Sequence, residues 1–206
     1  MTIRVFHSPA SPYVRKVMVA AAERGLADQI EKLPSAAGPV KRDPGIVQHN
    51  ASGKVPCALL ADDTPLFDSR VITQYVDSLG VAGDPLYPQD ARRFAVLTAE
   101  ALAESVLDAA LLHRYENALR PEEKRWEDWS RGQMDKIDSG LDDLEGRWFA
   151  TITDGFNAAS IAAACALGYL DFRFASKDWR STRPRLAEWF ATVSARPSMK
   201  DSFPAG

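Results

Sequence analysis

Apolar and polar positions alternate in Thr2-Ile3-Arg4-Val5-Phe6, a run rich in β-branched residues, which predicts a strand. From Pro12 the spacing changes. Val14, Val17, Met18 and Ala21 step by three and four, so a helix with one apolar face is expected, ended by Gly25. Ser11 stands at its N-cap and Pro12 at its first position, where a missing N–H costs nothing. Gln29–Leu33 reads as a second strand, and residues 34–53 as a loop with one short helix near Pro44–His49. Gly53–Leu60 reads as a strand with Pro56 at its entrance, where a cis bond would free the Val55 backbone to face a ligand. Pro65–Phe67 is a short strand. Asp68-Ser69 then cap a helix that carries Val71, Ile72, Tyr75, Val76 and Leu79 at helical spacing.

Beyond Gly80 the pattern changes. Gly80–Pro88 reads as a linker, and strand signals stop after it. One helix is expected from Ala91 to about Leu119, ending before Pro121. A second opens at Pro121-Glu122-Glu123 and places Trp126, Trp129, Gln133, Ile137, Leu141, Leu144 and Trp148 on one face. Asn157 caps a third, with Ile161, Cys165, Gly168, Tyr169 and Phe172 inward, and Pro184 opens a last one around Leu186, Trp189, Phe190 and Val193. The aromatic residues read as core. Residues 1–79 therefore read as a compact α/β domain, 80–88 as a linker and 89–206 as an all-helical domain.

Composition narrows the class. Of 206 residues, 46% are hydrophobic and 26% charged, ordinary for a globular chain with a real core. A net charge of −3 gives no electrostatic case for nucleic acid. No apolar run has transmembrane length and the start lacks a signal-peptide layout, so a cytoplasmic location is expected, with no membrane partner. The two cysteines, Cys57 and Cys165, lie far apart in apolar segments and read as buried free thiols. No Cys/His cluster has metal-ligand spacing, so no metal is expected.

The candidate chemistry sits at helix starts. A first helical turn carries unpaired N–H groups and a partial positive charge, so the Ser11 start would accept a phosphate, carboxylate or thiolate. A Ser there is also an ordinary cap. Likewise Asp68-Ser69 is either a cap or an anion and ammonium site, and Lys54 either a solvated charge or a carboxylate partner.

Three motifs in order resemble the glutathione-site motifs of the glutathione S-transferase family: Ser8-Pro9-Ala10-Ser11-Pro12-Tyr13-Val14-Arg15-Lys16, Asn50-Ala51-Ser52-Gly53-Lys54-Val55-Pro56, and Leu66-Phe67-Asp68-Ser69-Arg70-Val71-Ile72. Leu107-Asp108-Ala109, Arg120-Pro121-Glu122, Pro184–Phe190 and Ala195-Arg196-Pro197-Ser198 are similar to the helical half of bacterial members. The resemblance implies an α/β thioredoxin-like N-terminal domain plus an all-α C-terminal domain, a homodimer, and glutathione as co-substrate. It implies that the Val55 backbone, before the cis Pro56, pairs with the cysteinyl backbone of glutathione. Asp68 and Ser69 would hold the γ-glutamyl end and Lys54 the glycyl carboxylate. Ser11 would hydrogen-bond the sulfur, with Ser8 its rival in the same loop. The partner subunit is expected against helix Ser69–Leu79 and the first long helix.

The implied reaction is thiolate attack on a small electrophile. A thiol of pKa about 8.5 is only a few per cent ionised at neutral pH. Ser11 is no base there, so its part is to donate a hydrogen bond to the sulfur anion. The family's thiol-transferase classes carry a Cys at this helix start, and this chain has none. Ser105, Asp108 and Leu112 share a face of the first long helix and are candidates for an electrophile pocket between the domains. His113 is a further candidate for that cleft, whereas His7 and His49 read as loop residues. The family's buried capping box, Ser/Thr-x-x-Asp, here reads Asn157-Ala158-Ala159-Ser160, which keeps the cap without the charge. Two other functions stay open: a protein-binding module that keeps the fold without turnover, and a carrier of hydrophobic ligands.

Overall fold

The computed structural model describes residues 2–204. The chain divides into two compact units: the first runs to Tyr87 and takes back the segment from Arg196 onward, and the second is Pro88–Ala195.

The first unit contains β1 (Ile3–Phe6), α1 (Pro12–Glu23), β2 (Ile30–Leu33), α2 (Pro44–Val47), β3 (Cys57–Leu59), β4 (Pro65–Leu66) and α3 (Ser69–Leu79). Its sheet has the order β2-β1-β3-β4. β1 and β2 are parallel, while β3 runs antiparallel to β1 and β4 antiparallel to β3. The parallel pair requires a crossover, which α1 supplies. Ile3 and Val5 of β1, all of β3, and Val14, Val17 and Ala21 of α1 are buried together with Ile72 and Val76 of α3, which packs on α1. The strand expected over Gly53–Leu60 is shorter, since Pro56 cannot donate to the ladder and pairing starts at Cys57.

The second unit contains α4 (Arg93–Ala118), α5 (Glu127–Glu145), α6 (Phe149–Thr153), α7 (Ala158–Arg173) and α8 (Pro184–Val193). Every residue of α7 from Ala158 to Leu170 is buried, so it is the central helix, with α4 packed along it and α5 along α4. Asn157 and Ser160 form a complete capping box: Ser160 N–H donates to Asn157 Oδ1 and Asn157 N–H to Ser160 Oγ, each at 3.1 Å.

Three expectations change here. The helix expected from Pro121 to Trp148 is a 3-10 turn (Glu122–Lys124), then α5, then a break at Gly146 before α6. Trp126 and Trp129 are not core: they are 63% and 39% exposed and stack on each other with ring centroids 6.4 Å apart. Trp126 precedes the first turn of α5, where the apolar stripe has run past the end of the core it lines. Finally, α9 (Pro197–Asp201) belongs to the first unit rather than to the helices before it. Arg15, buried on α1, donates to the Met199 carbonyl at 2.9 Å, and Glu23 at the end of α1 accepts from Arg196 and Ser198.

Candidate functional site

Register brings three loops to one end of the sheet. Phe6, the last residue of β1, lies opposite Cys57, the first of β3. Ala58 pairs with Leu66 at the end of β4. The segments His7–Ser11, Lys54–Pro56 and Phe67–Ser69 therefore all leave the sheet at the same edge. Two helices begin there, α1 at Pro12 and α3 at Ser69. The structure thus gathers Ser8, Ser11, Lys54, Val55, Pro56, Asp68 and Ser69 around the positive ends of two helices.

Ser11 caps α1. Its Oγ accepts from Val14 N–H at 3.3 Å, and its backbone is extended while Pro12 takes the first helical position. A hydroxyl accepts and donates independently, and its proton has no acceptor among the described residues. Ser8 contributes its carbonyl to Ser11 N–H at 3.0 Å and so shapes the loop rather than the helix start. His7 lies beside them; partial burial, with the Lys32 charge added, lowers its imidazole pKa below the usual value.

The second segment is built by Asn50, a buried residue for which sequence reading gave no role. Its Oδ1 accepts from Ser52 N–H and Oγ–H at 3.1 and 2.8 Å, and its Nδ2 donates to the Lys54 carbonyl at 3.0 Å. Gly53 follows at φ +66°, packed under the Arg42 side chain. The signal was the Asn-x-Ser-Gly turn chemistry itself. The Val55-Pro56 bond is cis, and Lys54 is exposed. In the third segment Asp68 caps α3, its Oδ1 accepting from Arg70 N–H at 3.0 Å while 61% of its side chain stays exposed. Ser69, at the first position of α3, is buried.

The remaining candidates are less concentrated. Ser105, Asp108 and Leu112 are all exposed on α4. Ser105 donates to the Ala101 carbonyl at 2.9 Å and lines a groove of about 1000 Å³ with residues of α5, a groove that Asp108 and Leu112 do not line. His113 is held within the helical unit, its Nδ1 2.9 Å from Ser130 Oγ and its ring 5.5 Å from that of Phe174. Cys57 is buried in β3, and burial pushes its thiol up to about 11, which makes it inert as a nucleophile at neutral pH. Among the described residues no group of three or more His, Cys, Asp and Glu side chains could hold a metal ion, and no helix is long and apolar enough to cross a membrane.

Comparison with known proteins matches this layout. The family model for the glutathione S-transferase N-terminal domain matches residues 10–79, and that for the C-terminal domain matches residues 127–192. A glutathione transferase family member from Pseudomonas fluorescens Pf-5, solved with bound glutathione, is 45% identical over the full length of both chains, with a TM-score of 0.96. The chain belongs to the glutathione S-transferase family. A second structure of a Pseudomonas fluorescens Pf-5 family member, 44% identical over both full chains with a TM-score of 0.92, holds S-(propanoic acid)-glutathione. The GST-like protein YibF of Escherichia coli, described as uncharacterized, is 35% identical over 98% of each chain. The fold expected from the motifs, a small α/β domain followed by a helical one, is the transferase fold. Its glutathione motifs coincide with the loops that the register gathers at one sheet edge.

Proposed function

We propose that the protein is a glutathione transferase that stabilises the glutathione thiolate at the start of α1. The observation that carries this reading is Ser11: its oxygen is used by the helix cap and its proton is not. Glutathione offers two carboxylates, one ammonium and one thiol, and the gathered loops offer a complementary group for each. The exposed Asp68 carboxylate suits the ammonium, Ser69 at the start of α3 suits the γ-glutamyl carboxylate, and Lys54 suits the glycyl carboxylate. Val55, before the cis Pro56, presents backbone to the cysteinyl unit. The glutathione-bound relatives support the same assignment.

The chemistry needs little from the protein beyond this electrostatic arrangement. The thiol proton goes to water and the anion remains in front of α1. Lowering a thiol pKa by two units requires about 2.7 kcal/mol, within the range of one charge-assisted hydrogen bond plus a helix N-terminus. The sulfur pair then forms a C–S bond to an electrophilic carbon, and a leaving group departs with the displaced pair. With an unsaturated acceptor the π pair shifts instead and is protonated by water. Ser105, Asp108 and Leu112, exposed on α4, are our candidates for contact with that electrophile. A cytoplasmic homodimer belongs to the same reading.

An ultraviolet titration of bound glutathione tests it. We expect the thiol to ionise well below its free pKa, the shift to vanish in Ser11→Ala, and the shift to survive in Ser8→Ala. Glutathione bound with an unshifted thiol would refute the catalytic reading and favour a binding module.

A further inference from the structure

A second group of side chains, lying wholly in the helical unit, is built to take an anion. Arg114 and Tyr115 lie near the end of α4. Tyr169 and Arg173 lie one turn apart at the end of α7, which packs against α4. Phe174, just beyond α7, has its ring 5.5 Å from that of His113 and 6.5 Å from that of Tyr169, so it pins the two helix ends together at this level. The Tyr169 phenol is within electrostatic reach of Arg114, Tyr115 and Arg173 alike. Arg173 lies over the Phe172 ring at 3.7 Å, and its Nε is buried with no hydrogen-bond partner among the described residues.

The charges here do not balance. Neither Arg114 nor Arg173 has an ion-pair partner among the described residues. The acids nearest in sequence are used elsewhere. Glu116 accepts from Arg120 and from Trp126 N–H, and Asp171 accepts from Arg180 and from the Trp179 indole. Burial, and then the neighbouring Arg114 charge, lower the pKa of Arg173. Burial also pushes the Tyr169 phenol up to about 12 and raises that of Tyr115, so both stay protonated and able to donate at neutral pH. Two guanidiniums present five N–H donors each, in a planar fork that matches a carboxylate. The ring of Phe172 under Arg173 and that of Phe174 beside Tyr169 add an apolar surface for the organic part of such an anion.

We propose that Arg114, Tyr115, Tyr169 and Arg173 form a carboxylate-binding site and that the electrophile joined to glutathione is a carboxylic acid. The proposal rests on the transferase reading, and one further placement links it to that reading. Asp108, Leu112 and Tyr115 follow one another by four and three, so Tyr115 continues the stripe of α4 on which the electrophile candidates lie. The guanidiniums would neutralise the carboxylate and so remove its repulsion of the approaching sulfur anion.

Calorimetric titration with three probes tests the site: glutathione, S-(2-carboxyethyl)glutathione, and S-propylglutathione, in which a methyl group replaces the carboxylate. We expect the carboxyethyl conjugate to bind at least tenfold more tightly than the propyl conjugate. Arg114→Gln and Arg173→Gln should each reduce that preference several-fold and together abolish it, while glutathione affinity stays unchanged. Arg173→Lys, which keeps the charge, should restore part of it. Tyr169→Phe, the mildest change, should lower the preference without altering the circular dichroism spectrum. Equal affinity for the two conjugates, or a preference indifferent to both arginines, overturns the proposal while leaving the transferase reading intact. Failure of all three probes to bind overturns both.

Discussion

The Arg24 guanidinium and the Asp77 carboxylate meet at 2.9 Å, each with only 8% of its side chain exposed. Around them the end of α1 is tied to the segment that leaves α3. Arg24 Nη1 donates to the Ala82 and Gly83 carbonyls at 2.7 and 2.5 Å. Asp77 accepts the backbone N–H groups of Leu86 and Tyr87 at 2.8 and 3.2 Å. The pair thus fixes the path of the chain over the stretch that reads in sequence as a plain Gly/Pro linker. Removing one partner strands a buried charge, so Asp77→Ala and Arg24→Ala should each cost about 3–5 kcal/mol. The double variant should cost clearly less than their sum. Chemical denaturation of the three variants checks this; strict additivity would contradict the pairing.

Ser11 has two parts to play, and a single substitution separates them. Asp caps a helix as well as Ser does, whereas Ala does not. Ser11→Ala should therefore cost about 1 kcal/mol of stability, and Ser11→Asp should stay within about 0.5 kcal/mol of the wild type. For the thiol the order differs. Asp puts a negative charge where the thiolate is proposed to form and has no proton to donate, so the bound thiol should ionise at or above its free pKa. Denaturation and ultraviolet titration of the same two proteins decide the matter; a lowered thiol pKa in Ser11→Asp would remove Ser11 from the mechanism.

Glu23 gives the docking of α9 a pH dependence. Burial raises its pKa, but the hydrogen bonds from Arg196 and Ser198 and the Arg196 charge outweigh burial, and the net pKa is lowered. A depressed carboxyl pKa contributes stability that is complete above the unfolded value, about 4.3 for Glu, and is lost as pH falls through the folded value. Amide exchange in α9 should therefore quicken relative to β1 as the pH drops below about 4. In Glu23→Gln that acid-side acceleration should disappear and α9 should exchange faster at neutral pH.

Local chemistry was readable in the sequence, and long-range pairing was not. Ser11-Pro12, Asp68-Ser69 and Asn157–Ser160 announce helix starts because a cap needs only its own next three residues. The same caps mark two of the three loops gathered at the sheet edge, which is why the candidate glutathione site was largely visible. The partners of Arg15, Glu23 and Arg24 lie 184, 173 and 53 to 59 residues away, and no periodicity encodes them. Arg114 and Arg173 likewise meet only because α4 packs on α7. Periodicity assigned Trp126 and Trp129 to the correct side of α5 but could not say where the core stops. The break at Gly146 did carry a signal, the glycine itself, which the regular apolar spacing on either side masks.

Two glycines of α5 make a matched pair for testing how closely α4 and α5 pack. A Cβ on Gly140 would lie 2.5 Å from Val106 Cγ2 of α4, whereas one on Gly132 would meet nothing within 4 Å. Both lie inside the helix, where Gly is about 1 kcal/mol less favourable than Ala, so propensity alone predicts the same gain at both. Packing should reverse the sign at one of them. Gly132→Ala should stabilise the protein by up to about 1 kcal/mol. Gly140→Ala must push the Val106 side chain or the helix aside, an overpacking cost of about 1–3 kcal/mol that exceeds the propensity gain. Val106→Ala should relieve that clash, so Gly140→Ala combined with Val106→Ala should lose less than the two single variants together. Thermal melts of the four proteins measure this. Equal stabilisation by Ala at both glycines would mean that α4 and α5 do not make the close approach that Gly140 permits.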